Sequence, residues 1–554
     1  MNKIDMKKII FLSFLLSYLN IANAQESGNF YGGLESNSQW LQTDEGINFL
    51  APDDQFRANN YVLFNYNLGK FTAGLQFESY LPSALLGYDP NFNNQNGIAS
   101  YYLNYRDDKL DVTGGYFYEQ FGSGLILRSW EDRQLGLNNA LKGLNIKVNL
   151  TEDIGLKAVF GKQRYGFEES EGTIQGLDAD INLSNALNME SIGIQMGLSY
   201  VGRNQSNNGV EAIPANVGAY GARIDFILGD FYAGGEAITK GPDVIVNEGV
   251  IASNKRYDGT ALLVNAGYAK KGIGINATFR RLENFSFFSD RLAEGNVFNQ
   301  QVINYVPGLT KQQDYLLTNI YVYNPQPRLI IESFDQRSGE VGGQFDLFYT
   351  FKKGSGIGGK YGTKLSVNYA YWGGLHAEYN IENRWYKAKF IGNGTKLFRD
   401  FNLEVKKKWS KQWNSAFTYQ NVTIDKGIVE GGPLGTKTFN ANIAVIEATR
   451  RFDKGKSARF VAQHLWTKDD RKNWVAGVFE YNFSSSLNLY IADNWNYGGD
   501  GKIHYYSVGG SYSKGNTRLG LNYGRQRGGL ICIGGVCRFV PENTGLSANL
   551  TVAF

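Results

Sequence analysis

A two-residue alternation of apolar and polar side chains recurs along this 554-residue chain and restricts what it can fold into. In SIGIQMGLSY, Ile192, Ile194, Met196, Leu198 and Tyr200 fall on one face, and Ser191, Gly193, Gln195, Gly197 and Ser199 on the other. In GLNIKVNL, Leu144, Ile146, Val148 and Leu150 oppose Gly143, Asn145, Lys147 and Asn149. In FNLEVK, Phe401, Leu403 and Val405 oppose Asn402, Glu404 and Lys406. Successive side chains of a strand point to opposite faces, so each segment is a strand with one apolar and one wet face. An antiparallel sheet resting on a protein core has that pattern. So has a strand that separates hydrocarbon from a watery lumen.

Connection lengths decide between the two. Short links (NLGKF, YRDDKL, NLTEDI, ILGDFY, AKKGIG, FDKGKS, YSKGNT) alternate with long ones such as SYLPSALLGYDPNFNNQNG, RNQSNNGVEAIPAN, TKGPDVIVNEGVIASNKRYDG and IDKGIVEGGPLGTKT. A membrane barrel has short turns on one side and long loops on the other, whereas a soluble sandwich has no reason to keep that order. The fold class is therefore all-β: a single transmembrane antiparallel β-barrel of about 24 strands (22–26), with long outer loops and short periplasmic turns. An even strand number places both termini in the periplasm. Mean hydropathy is −0.34, although 42% of residues are hydrophobic. Alternating strands average out in this way, and no later segment forms an apolar run long enough for a spanning helix.

The chain opens with a basic MNKIDMKK, an apolar IIFLSFLLSYLNIA and a small-residue ANA before Gln25. This reads as a signal peptide over residues 1–24, with the barrel over 25–554. Strands begin almost at Gln25 with NFYGGLESNSQW, which disfavours a TonB-dependent transporter, whose plug precedes its barrel. The end of the chain, GLSANLTVAF, places Leu546, Ala548, Leu550, Val552 and Phe554 on one face. Leu550, Val552 and the terminal Phe554 resemble the carboxy-terminal signal read by outer-membrane barrel-assembly machinery.

The formal net charge is +4, and loss of the three lysines and one aspartate of residues 1–24 leaves +2, so nothing points to nucleic acid. Parity with apolar neighbours makes Lys147, Arg223, Asp225, Glu236, Arg280, Asp346, Glu404, Lys406, Arg459, Glu480 and Arg518 lumen-facing. Both signs occur, which suits a hydrated, internally paired lumen better than a one-sided selectivity ring. In GLILRSWEDRQLGLNNALKG, Arg128, Glu131, Asp132 and Arg133 surround Trp130. They are either a constriction inside the lumen or a solvated loop with weak local ion pairs. The longest connection, Glu283 to Gly339, is rich in aromatic and branched residues, which argues against disorder. It is a plug or constriction if it folds inward and a docking cap if it folds outward.

The only cysteines, Cys532 and Cys537, enclose Ile533–Val536 in the last outer loop. Gly534 and Gly535 allow a tight turn there, and an exported chain favours a disulfide. A metal or redox pair fits less well, since no histidine or third cysteine lies nearby. The three histidines, His376, His464 and His504, form no ligand pair in sequence. DPNFNNQNG lacks the glycine and the glutamate of a calcium loop, having Asn94 and Ser100 at those positions. No catalytic residue, metal or cofactor is expected.

Three segments, FGSGLILRSWEDRQLGLNNALKG, NYVPGLTKQQDYLLTNIYVYNPQP and RGGLICIGGVCRFVPENTG, together resemble a family of outer-membrane barrels from Bacteroidota known by a domain-of-unknown-function label. The resemblance runs from about Gln25 to Phe554. It implies fold and location and carries no site residue. The expectation is a loop-gated channel or transporter for hydrophilic solutes, or alternatively a non-conducting scaffold subunit of a secretion or barrel-assembly complex. Expected partners are outer-membrane lipid, the assembly machinery during biogenesis, and other envelope proteins.

Overall fold

The computed structural model describes residues 28–85, 92–189, 191–247, 249–293, 296, 300–533 and 535–554. The segment read as a signal peptide lies outside these residues. Twenty-four strands form one antiparallel sheet. Each strand pairs with its neighbours in the chain, and the first, Asn29–Gln42, pairs with the last, Asn543–Ala553, from Gly33↔Ala553 to Gln42↔Thr544. The sheet is therefore a closed barrel with no free edge along its wall, so backbone N–H and C=O groups along the wall are paired. Phe554 finishes the seam. Its carbonyl accepts from Gly32 N at 2.8 Å and its N–H donates to Gly32 O at 3.0 Å. Its ring lies against Phe30 and Phe64.

Alternation decides which face turns outward. Leu144, Phe460, Ile491 and Val508 are exposed, whereas Asn145, Val461 and Ala492 beside them are buried. The apolar row is bared around the barrel and the mixed row faces the interior, where loops cover it. No helix among the described residues is long and apolar enough to cross a membrane; a barrel crosses with strands.

One rim carries the short turns, among them residues 69–70, 107–109, 229–230, 271–272 and 515–516, together with the first described residue, Gly28, and Phe554. The other rim carries the large excursions 43–55, 80–95, 118–140, 284–338, 426–437 and 527–542. Two details differ from the sequence reading. TKGPDVIVNEGVIASNKRYDG is mostly strand: Phe231–Asn247 and Val250–Lys270 stay paired up to Asn247↔Val250, with register shifts after Lys240, Val244 and Ile245. The β-branched run Val244–Val246 keeps the ladder going, and bulges absorb the mismatch. The short-turn rim also holds two longer links, 183–192 and 352–362. Link length therefore alternates less strictly than the side on which the chain makes its excursions.

Candidate functional site

The barrel interior is the candidate site, because three long-rim segments fold into it and meet. The first is 118–140. Its Phe121, Leu125, Ile126 and Leu127 pack on inward wall residues that include Val159, Ile174, Val201 and Ile238. Ser123 N donates to Glu236 Oε2 at 3.1 Å, and Glu119 pairs with Lys147 at 2.8 Å. Both acceptors and partners lie on the inner face, so these bonds hold the loop to the wall.

The four charged residues singled out in this loop are all engaged. Arg128 stacks between the rings of Trp130 and Tyr305, with centroids 4.8 and 4.1 Å away. Asp132 Oδ1 accepts from the N–H groups of Gln134 and Leu135 and shapes the turn of a small hairpin, Glu131–Asp132 with Leu137–Asn138. Arg133 pairs with Glu131 at 3.3 Å and with Glu35 of the first strand at 2.6 Å, over the Tyr61 ring. Arg133 thus ties the loop to the first strand and Arg128 ties it to Tyr305 of the longest loop, and among the described residues the four form no free ring of charge.

The second segment is 284–338. Leu317, Ile320, Tyr321 and Tyr323 join a buried cluster with the inward wall residues Trp372, Val422, Phe439, Ile443 and Leu465. Phe285, Phe287 and Ile303 join the cluster of the first loop. Wall side chains hydrogen-bond its backbone and hydroxyls. Leu317 N donates to Gln463 Oε1 at 2.9 Å, Tyr315 OH to Glu447, and Trp372 Nε1 to Leu309 O. Glu340 accepts from Tyr323 OH and Gln326 N and pairs with Arg280, whose other nitrogen reaches Pro307 O. Burial and the neighbouring Glu340 carboxylate hold the Tyr323 phenol well above its usual range. A second anchor joins Asp243 to both Arg203 and Arg291, at 2.9 and 3.0 Å.

The third segment is the hairpin Gly529–Ile533 with Val536–Val540, closed by the Cys532–Cys537 disulfide. Cys537 and Leu530 pack on Val322 of the long loop, and Val536 packs on Leu135 and Leu137 of the first loop. Gly535 has φ +96°, and a Cβ there would lie 2.3 Å from Gly308 N. Only glycine fits that close approach. A vestibule of about 720 Å³ remains among the three segments and the 426–437 loop, lined by residues such as Trp130, Tyr305, Phe334, Pro433, Arg538 and Phe539.

Among the described residues, the apolar loop packing lies in the long-rim half. Ten of the eleven inward charges named from sequence lie nearer the turns or at mid-wall, and Arg280 alone is fully enclosed in the loop cluster. Arg223 pairs with Asp178 and Asp180, Lys157 joins the same two carboxylates, and Arg459 pairs with Glu447 and Glu480. Lys406 pairs with Glu404 at 2.8 Å. Asp346 accepts from Gln344 and Asn368. Arg518 has no ion pair among the described residues. Asp225 and Glu236 border a polar cavity of about 390 Å³ beneath the tip of the first loop. Sequence parity also reaches Asp178 and Asp180 in GLDADIN, which went unnamed. Glu340 and Glu119 escape the alternation because they sit at a strand end and in a loop, and Asp243 because it directly follows the register shift after Lys240.

No group of three or more histidine, cysteine, aspartate or glutamate side chains is arranged to hold a metal among the described residues. Residues 6–554 match the family described as Family of unknown function (DUF6029). The chain belongs to that family. No curated protein matches it by sequence. Among solved structures it is similar to a chain of the E. coli P pilus tip assembly intermediate PapC-PapD-PapK-PapG, at 10% identity and a TM-score of 0.51. That match covers 96% of this chain and 62% of the other, so the family member spans under two thirds of its neighbour's length. The P pilus usher (PapC) translocation pore matches at 8% identity and TM-score 0.42, over 95% and 99% of the two chains. Pseudomonas aeruginosa OpdK with vanillate matches at 13% identity and TM-score 0.36, over 80% and 100%. At such identities the likeness concerns the barrel fold.

Proposed function

We propose that this family member is an outer-membrane channel for hydrophilic solutes, gated by its own inward loops. The observation that carries the reading is the division of the lumen into two halves. On the long-rim side the three loops are packed together on apolar wall residues. On the turn side the wall keeps charged groups open to solvent, with the Asp180 side chain 52% exposed beside Arg223 and Lys157. A water-filled chamber with paired charges of both signs suits neutral or zwitterionic solutes more than one ion sign. The long rim faces outward and the termini lie in the periplasm, with Leu550, Val552 and Phe554 presented for assembly. Lys147, Arg223, Asp225, Glu236, Asp346, Glu404, Lys406, Arg459, Glu480 and Arg518 line the chamber, while Arg280 acts in the gate.

A second reading has its own support. Arg280, Glu340, Leu317 and Ile303 are wholly buried, as expected of a permanent plug. Such a barrel would be a non-conducting scaffold for envelope protein partners. Swelling of proteoliposomes in arabinose tests the choice. Swelling above the protein-free rate supports the channel. No swelling, with stoichiometric co-purification of other envelope proteins, supports the scaffold.

A further inference from the structure

We propose that a notch in the outward wall, roofed by a protruding bulge at Lys389–Gly392, seats an acyl chain of an anionic membrane lipid. The inference rests on the reading that this wall faces a bilayer.

The notch comes from two neighbouring outward rows of the sheet. One runs Leu198↔Ala222↔Ala237↔Leu262↔Arg281 and the next Tyr220↔Thr239↔Thr260↔Glu283. Ala222, Ala237, Thr239 and Thr260 are small, while in the row below Ile224, Val264 and Phe279 stand out as large exposed side chains on either side of Gly235. The step leaves a cavity of about 810 Å³ opening outward, between Tyr220 on one flank and Phe390 on the other.

The roof comes from a break in register. The strands Thr363–Asn380 and Trp385–Lys408 pair at Ala377↔Ala388 and next at Leu375↔Asn393. One residue on the first strand thus faces four on the second, and Lys389–Gly392 leave the ladder, with Gly392 at φ +105°. Phe390 and Ile391 are 67% and 85% exposed. The bulge is held in place from beneath. Arg281, of outward parity yet 4% exposed, donates to the carbonyls of Lys389 and Phe390 at 3.2 Å each and pairs with Glu283 at 2.6 Å. Its guanidinium also stacks on Phe390, 5.0 Å from the centroid. The bulge therefore shields an ion pair from the surroundings and turns its own apolar crest outward.

The bilayer supplies the occupant. A hydrocarbon-facing hollow of this size gains dispersion contacts only when a chain fills it. Lys387, Lys389 and Lys396 on the bulged strand are exposed and make no ion pair among the described residues. Lysines beside exposed aromatic and aliphatic residues at the end of a crossing segment are interfacial anchors, and their natural counterion is a lipid phosphate. The chain lies against Ala222 and Ala237, and the phosphate meets the lysines of the bulged strand.

The test is native mass spectrometry of the barrel released from nanodiscs of equal phosphatidylcholine and phosphatidylglycerol. The wild type retains one phosphatidylglycerol. Ala237→Phe, which fills the notch, retains at least about fivefold less. The triple variant Lys387→Gln/Lys389→Gln/Lys396→Gln keeps a lipid but loses about fivefold or more of the preference for phosphatidylglycerol, on the scale of a lysine near an anionic surface. A wild type that retains no lipid, retains both lipids equally, or appears as a lipid-free dimer overturns the proposal. So does retention unchanged in Ala237→Phe. A heat-dependent gel shift of each variant reports the barrel separately, so loss of the fold is distinguished from loss of the lipid.

Discussion

Arg280 and Glu340 form an ion pair in which neither side chain is exposed to solvent, on adjacent strands of the inner wall. Through it the wall grips the longest loop, because Glu340 also takes Tyr323 OH and Gln326 N, and Arg280 also takes Pro307 O. Removing one partner leaves an uncompensated buried charge. Arg280→Leu should cost about 3–5 kcal/mol. Urea unfolding from lipid vesicles measures it, and the double variant Arg280→Leu/Glu340→Leu should recover most of the loss. A single-variant cost below about 1 kcal/mol would place the pair among weak surface contacts.

The disulfide should act locally. A bridge closing so short a loop removes little unfolded-chain entropy, and Cys532→Ser/Cys537→Ser should lose about 2 kcal/mol or less. The expected signature is faster proteolysis within 529–540 while the heat-dependent gel shift of the barrel persists. After reduction, a membrane-impermeant thiol reagent should reach these cysteines from the cell exterior. Labelling only from the periplasmic side would invert the proposed orientation.

Phe554 joins the ends of the sheet by two backbone hydrogen bonds and two ring contacts. Phe554→Ala keeps the former and loses the latter. Two aromatic contacts are worth about 1–3 kcal/mol together. The yield of heat-modifiable barrel on refolding into vesicles should fall, and Phe554→Tyr should restore it.

Asp44 gives a pH dependence. The hydrogen bonds from Arg525, with that from Thr544, hold its carboxyl below the usual carboxylate range despite the opposing effect of burial. The group binds its proton less readily folded than unfolded, so its stabilisation is full above the unfolded value of about 4 and fades as pH falls through the lower folded value. Thermal scans of wild type and Asp44→Asn between neutral and acid pH should converge in acid. A gap that widens with acid would contradict the assignment.

Much of the fold was legible because period-two alternation encodes which side of a wall each residue faces. SIGIQMGLSY and GLSANLTVAF carry that pattern without interruption, and their registers follow it. Strand extensions beyond the wall were less legible. Residues 240–259 look like a loop in sequence since Gly241, Pro242 and Asn254 break the pattern, yet bulges let the ladder continue. The direction of the 284–338 segment was not legible at all. Its apolar residues require a surface to cover, and that surface is made of Phe439, Ala441 and Ile443, whose inward face is apolar only in its upper half. Trp372 and Glu340 complete the surface from a different hairpin, an association that sequence spacing does not encode.

The central claim is a hydrated chamber closed on one side by the chain's own loops. Single-channel recording in planar bilayers tests it most directly, comparing the wild type with a variant in which residues 284–338 are replaced by a short glycine-serine turn. The account predicts small or rare openings for the wild type and a steady, several-fold larger conductance for the variant. A variant that folds into a heat-modifiable barrel and still passes no current would contradict it.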